Sequence, residues 1–241
     1  MTTKESPLND IKIGVITASW AEMHNISCDY TKSTESTNDL AKEDAFNGLD
    51  PIQLYVTDEQ TKGRGRGNNT WMAPTIGSSL LSSWSFQSAV VPSPYITSMI
   101  GLGLFHAVRA TWPFLNWNLK APNDLYIDDK KIAGLLVETV TQGNQNRIIV
   151  GLGLNVFAHP ELAIATDLFS EMSKHKFPGV MGSDWIKFLD RLLFEVCALI
   201  PEANLEPDET MQASLLAVFN LHPKLVTKYS DFKTLKEDLW R

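Results

Sequence analysis

The chain has 241 residues, enough for one sizeable core, and a composition of 44% hydrophobic and 20% charged residues excludes a disordered polypeptide. Lys and Arg number 21 against 28 Asp and Glu, a net charge of −7 with no basic block, which excludes general electrostatic attraction to nucleic acid. Cys28 and Cys197 lie far apart and outside any Cys-x-x-Cys pair, so neither a disulfide framework nor a structural zinc is expected. The polar start Met-Thr-Thr-Lys-Glu-Ser-Pro lacks the apolar core of a secretory signal, and no apolar run reaches the roughly eighteen residues of a bilayer span. The expectation is an acidic cytoplasmic protein with no nucleic-acid or membrane partner.

In chain order, residues 11–16 (Ile-Lys-Ile-Gly-Val-Ile) read as a short strand. Ser36-Thr37-Asn38 opens a helix through about Phe46, with Ser or Thr at its N-cap. Ile52, Leu54 and Val56 alternate with Gln53, Tyr55 and Thr57, the period of a half-buried strand. A Gly-rich loop over residues 62–69 precedes a second alternating strand through Leu80, Ser82, Trp84 and Phe86. Residues 95–110 predict a buried helix with Ile96, Ile100, Gly103 and Ala107 three or four apart, its glycines permitting close packing.

Sheet then dominates. Strands are predicted at 117–120, 125–127, 132–140 and 147–156, with a turn at Ala121-Pro122-Asn123-Asp124 and a tight hairpin at Asp128-Asp129-Lys130. After a loop containing Pro160 and Pro178, Ser183 caps a helix with Trp185, Phe188, Leu192, Val196 and Leu199 on one face, and Pro201 stops it. Pro207 marks a boundary, so residues 1–206 are read as the main domain and 207–241 as a short appendage of one helix and one strand. The fold class is α+β, a mixed and mainly antiparallel sheet backed by helices.

Four segments carry chemistry. Gln60-Thr61-Lys62-Gly63-Arg64-Gly65-Arg66-Gly67 and the following Trp71 combine glycines that expose backbone N–H groups with two arginines able to grip a carboxylate or phosphate. A mobile loop with solvated charges explains the same letters. Ser36-Thr37-Asn38 offers hydroxyl and amide groups to a small polar head group, or merely caps its helix. Lys120, with Asn123 and Asp124 across a rigid turn, is either a charge aimed at a ligand or an ordinary hairpin lysine. Gly151-Leu152-Gly153-Leu154-Asn155 ends a strand on which a flat ligand can lie against bare backbone, or is a plain bulged strand.

Taken in order, these segments resemble the biotin protein ligases: the Ser-Thr-Asn helix start, the Gly-Arg-Gly-Arg-Gly loop between Gln60 and Trp71, Lys-Ala-Pro-Asn-Asp for Lys-Trp-Pro-Asn-Asp, Lys131 to Glu138, and Gly151 to Asn155. The similarity runs over roughly residues 30–200 and implies a catalytic domain related to class II aminoacyl-tRNA synthetases. It implies that Ser36, Thr37, Asn38, Gln60 and the Arg64 backbone hold the ureido ring of biotin, with Gly63, Gly65 and Gly134 also at the biotin site. Arg64, Arg66 and Lys120 would act on the carboxylate and α-phosphate, while Trp71, Asn123, Asp124 and Asn155 would line the ATP or adenylate site. ATP and biotin are the implied substrates and Mg²⁺ the implied ion, with no metal-ligating side chains indicated. The implied product, biotinyl-5′-AMP, is attacked by a lysine of a biotin carboxyl carrier protein or domain, so no covalent enzyme intermediate is needed.

The chain departs from the family pattern at two points. Ala121 stands where the family has Trp, which removes a large group beside Lys120. Residues 207–241 are too few for the SH3-like C-terminal domain and are read as its remnant, and an N-terminal winged helix is not expected. Three functional readings follow: an ATP-dependent, AMP-forming biotin ligase, acting as monomer or homodimer; a biotin-binding protein with weak or no transfer; and a lipoate or octanoate ligase relative. The two cysteines fit small buried hydrophobes better than nucleophiles.

Overall fold

The computed structural model describes residues 12–48 and 50–239, so the polar N-terminal segment and Ile11 lie outside the described residues. Beyond Lys12 the chain is helical, not extended: α1 spans Ile13–Met23. Ile13, Thr17, Trp20 and Ala21 are buried in it, spaced four, three and one apart. A window ending at Ile16 satisfies both strand and helix periods, and only the continuation to Ala21 separates them.

Seven strands form one sheet in the order β1-β2-β3-β7-β6-β5-β4. They are β1 (Ser27–Thr31), β2 (Ile52–Thr57), β3 (Ser79–Ser88), β4 (Trp117–Lys120), β5 (Asp124–Ile127), β6 (Lys130–Gln142) and β7 (Gln145–Asn155). Only β1 and β2 run parallel; every other neighbouring pair is antiparallel. The β5–β6 hairpin turns on Asp128-Asp129, with Asp128 at φ 50°, a left-handed conformation that aspartate tolerates. The mainly antiparallel α+β architecture expected from the strand pattern is therefore present.

The helices are α2 (Thr37–Glu43), α3 (Ile96–Thr111), α4 (Leu168–Lys174), α5 (Gly182–Leu199), α6 (Glu209–Phe219) and α7 (Phe232–Leu239). The main core joins Trp20 of α1, Ile100 and Phe105 of α3, and Trp185 and Phe188 of α5 to Leu80, Trp84, Val150 and Leu152 of the sheet. A methyl group on Gly103 would stand 3.0 Å from Glu195 Cβ, so this glycine sets the close approach of α3 to α5. Gly101 has no comparable crowding. α5 starts one residue before Ser183, with Met181 at its N-cap.

Two elements differ from their sequence patterns. β2 is buried on both faces, because α2 lies over Tyr55, with Ala41 and Ile149 in a small second cluster. Residues after Pro207 form two helices and, among the described residues, no strand. Leu215, Val218, Phe219, Leu235 and Leu239 of these helices belong to the same core as α3 and the sheet.

Leu215 is fully buried. Leu215→Ala is expected to cost about 2–5 kcal/mol of global stability, seen as a lower urea midpoint in one transition shared by tryptophan fluorescence and circular dichroism. A change confined to a separate early phase contradicts this.

Candidate functional site

α1, α3 and α5 cover one face of the sheet, and α2 covers only part of the other. On that second face β6 presents Gly134, Leu136 and Glu138, and β7 presents Gly151 and Gly153. Three of the positions, Gly134, Gly151 and Gly153, are bare backbone, and the result is a cavity of about 790 Å³ walled by α2, the 63–71 loop and the β4–β5 turn. Ser36, Thr37, Asn38, Gln60, Arg64, Gly65, Arg66, Trp71, Lys120, Asn123, Asp124 and Gly134 all line it. Gly63 and Asn155 do not line it: Asn155 is buried behind the wall, donating to the Thr166 carbonyl at 3.1 Å, with its Oδ1 unpartnered among the described residues.

One end of the cavity is a buried polar head. Ser36, Thr37 and Asn38 are each 2–3% exposed. Ser36 holds the N-cap position of α2, yet its side chain makes no capping bond. Gln60 supplies that bond instead: its Oε1 accepts from the Thr37 N–H at 2.8 Å and from the Thr37 hydroxyl at 3.1 Å. Ser83 of β3 approaches the Thr37 hydroxyl at 2.8 Å and Asn38 Oδ1 at 2.5 Å. A methyl group on Gly151 would collide with Asn38 Oδ1, so that glycine lets α2 sit down on β7.

Glu138 ties these parts together. It accepts from Asn38 Nδ2 at 2.7 Å, from Lys42 at 2.5 Å, and from both Arg64 terminal nitrogens at 2.8 and 3.2 Å. Arg64 also reaches Asp39 at 2.7 Å. Burial pushes the Glu138 carboxyl upward, but the bonds from Arg64, Lys42 and Asn38 outweigh it and hold the group below the ordinary glutamate range. The same bond to Glu138 holds Arg64 above its ordinary value. The guanidinium of Arg64 is thus spent on positioning the loop, whose backbone faces the cavity. Arg66 lines the cavity and makes no ion pair among the described residues.

The loop is a small hairpin closed by Trp71 N–H to Gly63 O at 3.0 Å and Gly65 N–H to Asn69 O at 2.8 Å. Its last residue fills the glycine trough: methyl groups on Gly153 or Gly134 would press into the Trp71 indole. The flat group that approaches the bare strand is therefore this side chain. Lys131 lies 5.8 Å from the indole ring and pairs with Asp124 at 2.7 Å, while Asn123 donates to the Leu135 carbonyl at 2.5 Å. Lys120, at the end of β4, makes no ion pair among the described residues and lies 5.8 Å from the Tyr126 ring.

Glu138, Asp39, Lys42 and Ser83 escape sequence reasoning. Asp39 and Lys42 lie three apart on a helix, a pattern ordinary on any solvated face. Cys28 and Cys197 are half-buried and outside the cavity, and burial pushes the Cys28 thiol up to about 11, which suits an inert role. Among the described residues no three His, Cys, Asp or Glu side chains are gathered to hold a metal, and no helix is long and apolar enough to cross a membrane.

Residues 30–155 match the biotin/lipoate A/B protein ligase family. This chain belongs to that family. It is 30% identical to the biotin--[acetyl-CoA-carboxylase] ligase of Mycobacterium tuberculosis over 203 residues, 81% of this chain and 70% of that protein. It is 34% identical to human biotin--protein ligase over 132 residues, but these span 51% of this chain and only 18% of the human protein. The fold is shared with the Leishmania major biotin protein ligase solved with biotinyl-5-AMP (TM-score 0.63, 21% identity, covering 85% of this chain and 87% of that one). It is shared equally with the Aquifex aeolicus ligase solved with biotin and ATP (TM-score 0.60, 23% identity, 80% and 78%).

The Glu138 cluster predicts pH dependence with a definite sign. A carboxylate held below its unfolded value stabilises fully above the unfolded pKa, about 4.3, and that contribution is lost as pH falls through the lower folded value. Amide exchange at residues 63–71 should therefore lose protection below the ordinary glutamate range. Glu138→Gln should raise it roughly tenfold at neutral pH, one charge-assisted bond at the low end of about 1.5–3 kcal/mol, since the Arg64 side chain is 35% exposed. Unchanged exchange in the variant contradicts the positioning role.

Proposed function

We propose that this chain is the catalytic part of an ATP-dependent, AMP-forming biotin protein ligase. One observation carries the reading: a buried polar head, an arginine loop and a lysine with no ion pair among the described residues open into one continuous cavity. The names of the M. tuberculosis and human relatives support it, as do the ligands in the L. major and A. aeolicus structures.

The polar head suits the ureido group of biotin. Thr37, Asn38 and Ser83 offer hydroxyl and amide groups, and Gln60, with Oε1 committed to Thr37, offers its Nε2 donor. Such buried groups reject a ligand that leaves them unpaired far more strongly than they reject a change in apolar bulk. The carboxylate end then extends toward the loop and Lys120. A carboxylate oxygen attacks the α-phosphorus of ATP, the bond to the bridging oxygen of pyrophosphate breaks, and biotinyl-5′-AMP remains. Backbone N–H groups of the loop, Arg66 and the Lys120 ammonium offset the charge that develops on the phosphoryl oxygens.

In the second step a carrier lysine ε-amine, having lost a proton, attacks the acyl carbon and AMP departs with the bonding pair. The carrier is a biotin carboxyl carrier protein or domain. Among the described residues no His, Cys, Asp or Glu cluster is gathered to hold Mg²⁺ as a resident ion, and the ion would arrive on the ATP phosphates. A cytoplasmic monomer or homodimer completes the proposal.

Lys120 is exposed at the cavity wall and remote from the polar head, so the two functions separate. Lys120→Ala should lower single-turnover biotinyl-AMP formation on the order of a hundredfold or more while leaving biotin affinity near that of the wild type. Arginine should not restore the rate, because its planar fork cannot take the place of a compact ammonium. Near-normal adenylation by the alanine variant overturns the assignment.

A further inference from the structure

A second cavity, of about 140 Å³, lies beside the first and shares Lys120, Tyr126 and Ile164 with it. Its far wall comes from the C-terminal segment: Phe219, His222, Lys224, Leu225 and Tyr229. Ala121 forms part of the floor, and its methyl group leaves the volume open. The space is many times the roughly 10–15 Å³ that one water needs.

The polar groups around it are nearly all donors. His222 is 6% exposed, and its Nδ1 accepts the Lys224 N–H at 3.1 Å. Nδ1 is therefore unprotonated, which places the ring proton of the neutral imidazole on Nε2. That Nε2 has no hydrogen-bond partner among the described residues. An unanswered buried donor is costly in a native structure and asks for an explanation. The His222 ring stands edge-on to Tyr126 at 4.8 Å between centroids, and Lys120 lies 5.8 Å from the same Tyr126 ring. Among the described residues Asp129 is the one carboxylate in the wall, and it is paired with Lys224 at 2.8 Å. Burial, with Lys120 and Lys224 nearby, keeps His222 below its ordinary pKa, as a locally positive site would.

We propose that this cavity is an oxyanion site, formed by Lys120, His222 and Lys224, which takes the pyrophosphate leaving the main cavity. The assignment rests on the adenylation reading for the identity of its ligand, and on the cavity alone for its anion chemistry. Lys120 faces both spaces, so the leaving group can pass from one to the other without losing that ammonium. The site gives the C-terminal segment a part in the reaction: it supplies two of the three donors.

The test is a titration of the whole chain with pyrophosphate, followed by NMR of the five histidine rings. The His222 signals should move saturably while the other four stay in place; inorganic phosphate should act more weakly, and AMP should leave His222 unmoved. Lys224→Ala, a surface change, should weaken pyrophosphate at least fivefold with biotin affinity intact. Ala121→Trp should fill the cavity and remove the response; if that variant does not fold, Lys224→Ala decides alone. A His222 signal that ignores millimolar pyrophosphate, that responds equally to AMP, or that responds unchanged in Lys224→Ala overturns the proposal. Biotinyl-AMP assays on the same samples separate the two readings. Pyrophosphate binding without adenylate leaves the anion site standing and removes the ligase reading; adenylate without a His222 response does the reverse.

Discussion

Glu138 accepts hydrogen bonds from Asn38 and Lys42 of α2 and from Arg64 of the glycine loop, while its own strand lies beside the central strand β7 of the sheet. Its position makes the rest of the site interdependent. Asn38 is oriented for the polar head by the same carboxylate that anchors the loop, so the parts that would meet the two ends of a ligand share one support. The two cations and one amide around Glu138 offset the cost of its partial burial, which a lone carboxylate there could not bear. Removing the carboxylate would leave Arg64 and Lys42 facing each other near a gap.

The second constraint is the absence of side chains on one face of two neighbouring strands. Gly151 admits Asn38, and Gly134 and Gly153 admit Trp71. Any larger residue would lift α2 or the loop off the sheet. The opposite face of the same strands carries Leu135, Val150, Leu152 and Leu154, which anchor the sheet to the main core. One pair of strands therefore provides rigidity on one side and close approach on the other, the combination a preorganised site requires.

Much of this is legible in the residues themselves. The helical spacing in 95–110 and 183–199 and the Asp128-Asp129 turn are local patterns, and the structure follows them closely. Residues 11–16 mislead because six positions cannot separate a period of two from one of 3.6; β1 and α4 are too short to stand out. The twelve residues that share the cavity come from motifs already visible in order along the chain. Glu138 is different. It sits within one of those motifs, yet it meets Asn38 across 100 positions, and only the pairing of β6 with β7 brings it under α2. Gln60 likewise caps a helix 23 residues before it. Such contacts depend on register across the sheet, which no local pattern encodes.

The central claim is that the Glu138-supported polar head recognises a ureido ring. Calorimetric titration of the whole chain with biotin, lipoate and octanoate in parallel tests it most directly, because the three share a carboxylate on an apolar chain and differ in the head group. Saturable binding of biotin, with lipoate and octanoate silent at tenfold higher concentration, is the predicted result. Lipoate or octanoate binding as tightly as biotin would contradict it.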